Sequence, residues 1–85
     1  AMLFAFDTPG RYGFWIKDMN FAVDIVWVNN NGVVVEIERN VVPTDDPNPK
    51  IYMNTASASY VIEMKAGEAA KQGLFLGSKV TLSSN

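Results

Sequence analysis

The segment from Asp24 to Arg39 constrains the fold more than any other part of the sequence. It reads DIVWVNNNGVVVEIER, in which two runs rich in Val and Ile flank Asn29–Asn31 and Gly32. β-Branched residues favour strands, and Gly32 can adopt the positive φ that a tight chain reversal needs. The segment therefore predicts a β-hairpin.

The two arms of this hairpin differ in their pattern. In the first arm, Ile25 and Trp27 lie on one side and Val26 and Val28 on the other, which predicts a strand that is covered on both faces. The second arm alternates, and we expect one of its faces to meet water. One side carries Val33, Val35 and Ile37, and the other side carries Val34, Glu36 and Glu38.

Composition bounds both the fold and the chemistry. The chain has 85 residues, of which 48% are hydrophobic and 19% charged, so residues 1–85 are expected to form a single globular domain. The net charge is −2 and the seven basic residues are scattered, so no nucleic-acid partner is expected. The sequence has no Cys or His, which excludes thiol nucleophiles, imidazole catalysis and the common zinc and copper sites. We expect no cofactor, and no membrane insertion because no apolar run approaches the ~20 residues of a spanning helix.

Several short segments complete the predicted architecture. Residues 7–10 (DTPG) predict a turn, and residues 44–50 (TDDPNPK) predict an exposed loop. Residues 66–72 predict a two-turn helix that ends at the C-cap residue Gly73. Apolar or alternating runs predict further strands at 3–6, 12–17, 59–65 and 79–82.

Together these elements predict an α+β fold that is mainly β. We expect a compact, antiparallel-rich sheet or partly closed barrel of about six short strands, with one short helix covering an end.

Two sequence blocks carry a resemblance to a known family. They are Phe14-Trp15-x-Lys17 followed by Asp24-Ile25, and Val61-Ile62-Glu63-x-x-Ala66-Gly67. On these blocks the chain resembles the domain-of-unknown-function 192 family (DUF192), small bacterial and archaeal proteins, from Met2 to about Val80. The resemblance implies a β-rich, barrel-like α+β domain with no established biochemical activity, and it implies an exported or extracytoplasmic location.

The resemblance also bears on assembly. The chain resembles the C-terminal three-quarters of a DUF192-like domain, because family members typically carry about one more strand and helix before the Met2 run. A sheet without those elements would leave an edge and part of its core open. We therefore expect a homodimer, with strand exchange between the two copies as one form of it.

Two acidic residues are candidates for chemistry. Asp24 opens an apolar strand and would pair with Lys17, or it would accept backbone hydrogen bonds and order a turn. Glu63 would form a carboxylate pair with Asp24, of the kind used in acid–base catalysis and glycoside hydrolysis, or it would be a strand-face residue paired with a lysine or exposed to solvent.

Aromatic and loop residues give two further candidate sites. Trp15 and Tyr52 would provide a stacking platform for a ligand, or they would fill the core. Four loop residues offer hard oxygen ligands, but their spacing matches no EF-hand, so a solvated loop and no metal site are expected. These loop residues are Asp18, Asp45, Asp46 and Asn48.

The sequence thus predicts a non-catalytic binding or accessory domain that is envelope-associated or exported and recognises a small polar ligand or peptide. We expect no catalytic residue, and the candidate ligand-binding residues are Trp15, Lys17, Asp24, Tyr52 and Glu63. Two alternatives stay open: a carboxylate-dependent hydrolase that uses Asp24 and Glu63, and a structural oligomerisation module.

Overall fold

The computed structural model describes residues 1–16 and 20–81, and within these ranges the chain is mainly β. Its elements are β1 Met2–Gly10, β2 Val23–Val28, β3 Val34–Val41, β4 Ala58–Lys65 and the helix α1 Glu68–Lys71. The described strands form one antiparallel sheet in the order β1-β4-β2-β3. In the described part of the chain this sheet is open, with β1 and β3 at its two edges.

The predicted hairpin is present. β2 and β3 pair through a turn in which Gly32 has a φ of 79°, and Asn29 Oδ1 accepts the backbone N–H groups of Asn31 and Val33 at 3.0 and 2.9 Å. Every residue of β2 is buried, because the strand pairs on both sides and both of its faces are covered. The prediction of a doubly covered first arm is confirmed.

The prediction of strict alternation in the second arm is wrong. Trp27 lies opposite Glu36, but the next residue of β2, Val28, lies opposite Val34, so Val35 is an extra residue in β3. An inserted residue of this kind reverses the facing of the side chains that follow it. Val35 therefore packs on one side of the sheet, while Val34 and Ile37 pack on the other.

The sheet separates two hydrophobic clusters. The aromatic face centres on Ile25, Trp27 and Val61, against which ring side chains from the N-terminal part pack; the ring centroids of Phe14 and Trp27 are 6.4 Å apart. The helix face is covered by α1 and the residues that follow it. Its members are Val26, Val28, Val34, Met64 and Ala69, with Ile37, Tyr60, Ile62, Leu74 and Val80 packed against them.

Two predicted strands are present only as single bridges. Phe14 bridges Tyr52, and Val33 bridges Lys79. Lys17 and Leu82, at the ends of those predicted strands, lie outside the described residues. The described ranges therefore show four strands, and neither the predicted six strands nor barrel closure is shown there.

The shorter segments agree with the predictions in part. Residues 44–50 form a loop, and α1 is followed by Gly73 with a φ of 72°, as expected for a C-cap glycine. The helix covers only four residues, Glu68–Lys71, and not the two turns predicted for residues 66–72. The predicted turn at residues 7–10 is wrong: β1 continues to Gly10, with a shift in register between Ala5 and Gly10. The irregularity between Ala5 and Gly10 is thus absorbed within the strand.

Candidate functional site

Asp24 is buried and holds three backbone segments together. Its Oδ1 accepts the N–H of Asn40 at the end of β3 at 2.9 Å. Its Oδ2 accepts the N–H groups of Gly67 and Ala69, where α1 begins, at 3.0 and 3.1 Å. Buried carboxylates need donors of this kind, and these bonds match the alternative in which Asp24 orders a turn. Lys17, the other expected partner, lies outside the described residues.

Glu63 lies on the opposite face of the sheet from Asp24. In the pairing of β2 with β4, Asp24 is opposite Met64 and Glu63 is opposite Ile25. Directly opposed residues share a face and successive residues alternate, so the two carboxylates point to different sides. They do not share a cleft, and this geometry does not support an acid–base pair between them.

Glu63 instead borders a cavity of about 260 Å³ next to β1. The cavity wall is mostly apolar, and burial raises the pKa of the Glu63 carboxyl above its ordinary value, because desolvation disfavours the charged form. The lining residues are Ala1, Met2, Phe21, Val23, Glu63, Met64 and Lys65.

Residues 13–15 and 51–53 pair through the single bridge between Phe14 and Tyr52, and we call this short pairing the ribbon; it places Trp15 on the surface. Phe14 and Tyr52 exchange both backbone hydrogen bonds, at 2.8 and 2.7 Å. This antiparallel pairing puts Trp15 beside Ile51 and Gly13 beside Met53. We call Gly13, Trp15, Ile51 and Met53 the outer ribbon face. Its three large side chains are exposed by 54%, 45% and 40% for Trp15, Ile51 and Met53.

Gly13 is the residue of the outer ribbon face that has no side chain. A Cβ placed on Gly13 would lie 2.6 Å from Cγ2 of Ile51 and 2.8 Å from Cε of Met53, closer than side chains tolerate. The missing side chain therefore lets Ile51 and Met53 lie directly over the backbone. Neither residue was singled out from the sequence, because only the pairing with residues 12–16 shows that they flank Trp15.

Trp15 and Tyr52 do not form a joint stacking platform. Phe14 and Tyr52 point inward and pack against the aromatic face, whereas Trp15 points outward. The Lys50 ammonium lies 4.8 Å from the centroid of the Tyr52 ring. Among the predicted ligand-binding residues that are described, Trp15 alone lies on the outer ribbon face.

Sequence reasoning missed Asn54, which joins the ribbon to the end of β1. Asn54 is fully buried; its Oδ1 accepts the N–H of Tyr12 at 2.9 Å, and its Nδ2 donates to the carbonyls of Gly10 and Ala56 at 3.0 and 2.5 Å. Arg11 Nε donates to the Asn54 carbonyl at 3.1 Å. No local signal distinguishes this asparagine within a polar loop.

The acidic loop shows turn geometry. The N–H of Asp46 donates to Thr44 Oγ1 at 3.0 Å, and the N–H of Asn48 donates to Asp46 Oδ1 at 2.9 Å. Within residues 1–16 and 20–81, no group of three or more acidic side chains could hold a metal ion. Asp18 lies outside these ranges. No helix in the same ranges has the length and apolar character needed to cross a bilayer.

Two solved structures resemble this chain closely in fold. One is a "putative transcription regulator" from Sinorhizobium meliloti, with a TM-score of 0.80 and 26% identity over 92% of this chain and 58% of that one. The other is a protein of unknown function from Novosphingobium aromaticivorans, with a TM-score of 0.82 and 27% identity over 95% of this chain and 56% of that one. The chain thus spans less than two thirds of the length of both relatives.

A search of the curated proteins gave no match. A family model described as "Uncharacterized ACR" matches residues 1–82, almost the whole sequence. The chain therefore belongs to the DUF192 family.

Proposed function

We propose that this chain is a non-catalytic binding domain that recognises a peptide segment or small polar ligand on the outer ribbon face. The observation that carries the proposal is the exposure of Trp15, Ile51 and Met53 side by side on one ribbon. Tryptophan exposed next to other large apolar residues is typical of contact surfaces, because it offers a large, rigid area at little cost in conformational entropy.

The inner side of the ribbon makes this surface rigid. Phe14 packs at 5.2 Å from Phe4 and 6.4 Å from Trp27, measured between ring centroids, and Trp27 Nε1 donates to the Tyr12 carbonyl at 2.9 Å. The ribbon backbone is therefore anchored to the core next to Trp15. A ligand would bind a preformed surface, so less conformational entropy would be lost on binding.

Charge at one end of the ribbon indicates the kind of ligand. Arg11 lies next to the Gly13–Met53 end, where its Nε donates to the Asn54 carbonyl. A cation beside an apolar surface favours a ligand that combines an apolar part with a carboxylate. We propose an extended peptide with acidic residues as the preferred ligand.

The other functional classes receive less support. A hydrolase would need the carboxylates of Asp24 and Glu63 in one cleft, and they lie on opposite faces. The name of the Sinorhizobium relative suggests transcription, but with a net charge of −2 we propose no direct contact with a phosphate backbone.

We also propose the setting in which the domain works. It acts outside the cell or at the envelope, and it does so as a homodimer. In this proposal a strand from the second copy extends the open sheet, toward the six-stranded, partly closed barrel that the sequence predicts.

Binding to the outer ribbon face is tested with Trp15→Ala. The variant is screened together with the wild type against a library of acidic and basic peptides, with affinities from calorimetry. We expect an acidic, apolar peptide to bind the wild type, and Trp15→Ala to weaken that binding by about tenfold or more, as for interface tryptophans in general.

The matched control is Leu76→Ala, which removes an even more exposed apolar side chain outside the ribbon. Because Trp27 is fully buried, a change in tryptophan emission on binding would come mainly from Trp15. Equal loss of affinity in both variants, or tight binding of the peptide by Trp15→Ala, would contradict the proposed site.

A further inference from the structure

We propose that Asn31 is a site of spontaneous deamidation, and that residues 79–80 set its rate by holding the Asn31–Gly32 peptide in the closed hairpin. This site lies in the turn between β2 and β3, apart from the outer ribbon face, and it does not depend on the ligand proposed there.

The sequence favours the reaction at one position. Asparagine deamidates when the backbone nitrogen of the next residue attacks the side-chain amide carbon, and a side chain on that next residue hinders the attack. Glycine has no Cβ and leaves its nitrogen accessible. Asn31 is the one asparagine of the sequence that is followed by glycine, whereas Asn29 and Asn30 are each followed by another asparagine.

The side chain of Asn31 is available for this reaction. Asn31 is exposed to solvent, and the hydrogen bonds that it forms with described residues use its backbone atoms. The neighbouring Asn29 is different, because its Oδ1 accepts the N–H groups of Asn31 and Val33. Asn29 therefore orders the turn, whereas Asn31 can rotate its amide toward the backbone.

The reaction exchanges ammonia for water. Gly32 N loses its proton to hydroxide and bonds to Cγ of Asn31; the bond from Cγ to Nδ2 breaks, ammonia leaves with a proton from water, and a succinimide ring remains. Water then opens this ring. Cleavage between Gly32 N and Cγ gives aspartate with the original backbone, and cleavage at the backbone carbonyl gives isoaspartate, whose backbone runs through Cβ and Cγ.

The closed hairpin opposes the first step. Gly32 N–H donates to the Asn29 carbonyl at 3.0 Å. Removing that proton in place would leave a negative nitrogen opposite a carbonyl oxygen at this distance, which is electrostatically unfavourable. The nitrogen therefore reacts only after the turn has opened.

Residues 79–80 keep the turn closed. Lys79 Nζ donates to the Asn31 carbonyl and Val80 N–H donates to the Gly32 carbonyl, both at 2.6 Å. Gly32 also packs directly against Val80, because a Cβ on Gly32 would lie 2.6 Å from the Val80 carbonyl oxygen. The turn can open only when these residues separate, and the free energy of this local opening sets the rate of deamidation.

Isoaspartate at position 31 would prevent the turn from closing again. It lengthens the backbone before Gly32 by one carbon, about 1.5 Å. Gly32 is bonded to Asn29 through its N–H and to Val80 through its carbonyl, so the longer backbone cannot keep both bonds. The modification would thus separate residues 79–80 from the start of β3.

Incubation of the folded protein at mildly alkaline pH tests the site. Peptide mass spectrometry should show conversion at residue 31, and isoaspartyl methyltransferase should label the product. Asn31→Gln should abolish both signals, because glutamine would have to form a larger ring. The control Asn30→Gln, in the same turn, should leave conversion at residue 31 unchanged. A wild type in which residue 31 stays unmodified, or in which Asn30 converts equally fast, would overturn the site.

Lysine variants test the control of the rate by residues 79–80. Lys79→Met should raise the rate in the folded protein by about threefold or more, because it removes one bond that keeps the turn closed. Lys79→Arg keeps the charge and should restore a rate near that of the wild type. Lys71→Met removes an exposed lysine of α1 and should change nothing.

The unfolded chain gives the reference rate. In urea the wild type should deamidate at least about tenfold faster than when folded, since local opening is no longer required. The lysine variants should then react as fast as the wild type. Equal rates for the folded wild type and folded Lys79→Met, or equal rates for the folded and unfolded wild type, would overturn the control by residues 79–80.

Discussion

The two edges of the sheet differ in whether another segment of the described chain forms hydrogen bonds with them. The β3 edge is covered at its start by residues 77–80: Val34 N–H donates to the Ser78 carbonyl and Gly77 N–H to the Val34 carbonyl, both at 2.9 Å, and Val80 N–H donates to the Gly32 carbonyl at 2.6 Å. The β1 edge has no such cover in the described part of the chain. The residues after α1 therefore protect the start of one sheet edge from pairing with another strand.

The difference does not follow from the composition of the edge strands alone. β3 carries Glu36, Glu38 and Arg39, charges that would already discourage pairing, yet it is the edge strand whose start is covered. The cover reaches it because α1 and the segment after it are fixed near β3. Asp24 binds both the start of α1 and the end of β3, and Arg39 Nη2 donates to the Leu74 carbonyl at 2.6 Å. One buried carboxylate thus helps to hold the covered edge in place.

Removing the Asp24 carboxylate should have the largest effect on stability. Asp24→Ala leaves the N–H groups of Asn40, Gly67 and Ala69 without their acceptor. We expect the free energy of unfolding to fall by about 3 to 5 kcal/mol, since each buried unpaired donor costs about 1 to 3 kcal/mol and water replaces part of the loss. Urea denaturation measures this. The control Asp45→Ala, in the exposed loop, should stay within about 0.5 kcal/mol of wild type; a similar small effect for Asp24→Ala would show that water replaces the carboxylate fully.

Displacing residues 77–80 from the start of β3 should have the next largest effect on the free energy of unfolding. Gly32→Ala forces a non-glycine residue to a φ of 79° and places its Cβ 2.6 Å from the Val80 carbonyl oxygen. Strain and displacement together should cost about 2 to 3 kcal/mol. Gly77→Ala is the matched control, with a φ of 88° and open space around the Cβ, and should cost about 1 kcal/mol. Equal losses in urea denaturation would mean that the close approach to Val80 contributes nothing.

Hydrogen exchange should show the contrast between the edges without any mutation. The N–H groups of Val34 and Val80 are bonded across the covered edge and should exchange at least about tenfold more slowly than those N–H groups of β1 that point away from β4. Raising the protein concentration should slow exchange at β1 alone if the second copy binds there. Fast exchange at Val34 would indicate that the cover opens readily.

Glu63, which pairs with Met2 on the open-edge side, should give the smallest effect. Burial raises its pKa in the folded state, so the native protein binds this proton more tightly than the unfolded chain does. The associated stability is present below the unfolded pKa and is lost as the pH rises through the raised value. Glu63→Gln should therefore be slightly more stable than wild type at pH 7, and the two should converge below about pH 4. Melting temperatures across this range measure the difference, and a gain that grows at low pH would have the wrong sign.

Local patterns predicted several elements correctly. The Val- and Ile-rich runs around Gly32 gave the hairpin. Residues 66–72 with Gly73 gave the place and the C-cap of α1, but not its length of four residues. The sequence did not predict which side chains of β3 face which side of the sheet. The extra residue Val35 can be recognised only when β3 is paired with β2. The same holds for the outer ribbon face, where Trp15 was a candidate but its neighbours Ile51 and Met53 were not.

The sequence by itself determined β2, β3, β4 and the place of the helix, since side-chain periodicity and the backbone preferences of a few glycines act over a few residues. It did not determine how far β1 extends, or that Phe14 and Lys79 form only isolated bridges. The tertiary structure decided what Asp24 binds and which sheet edge is covered. The contacts that settle these points join residues far apart, as Asp24 and Ala69 are 45 positions apart and Lys79 and Asn31 are 48. Such contacts depend on how whole elements pack, because only packing brings a donor and an acceptor so distant in sequence within hydrogen-bond range.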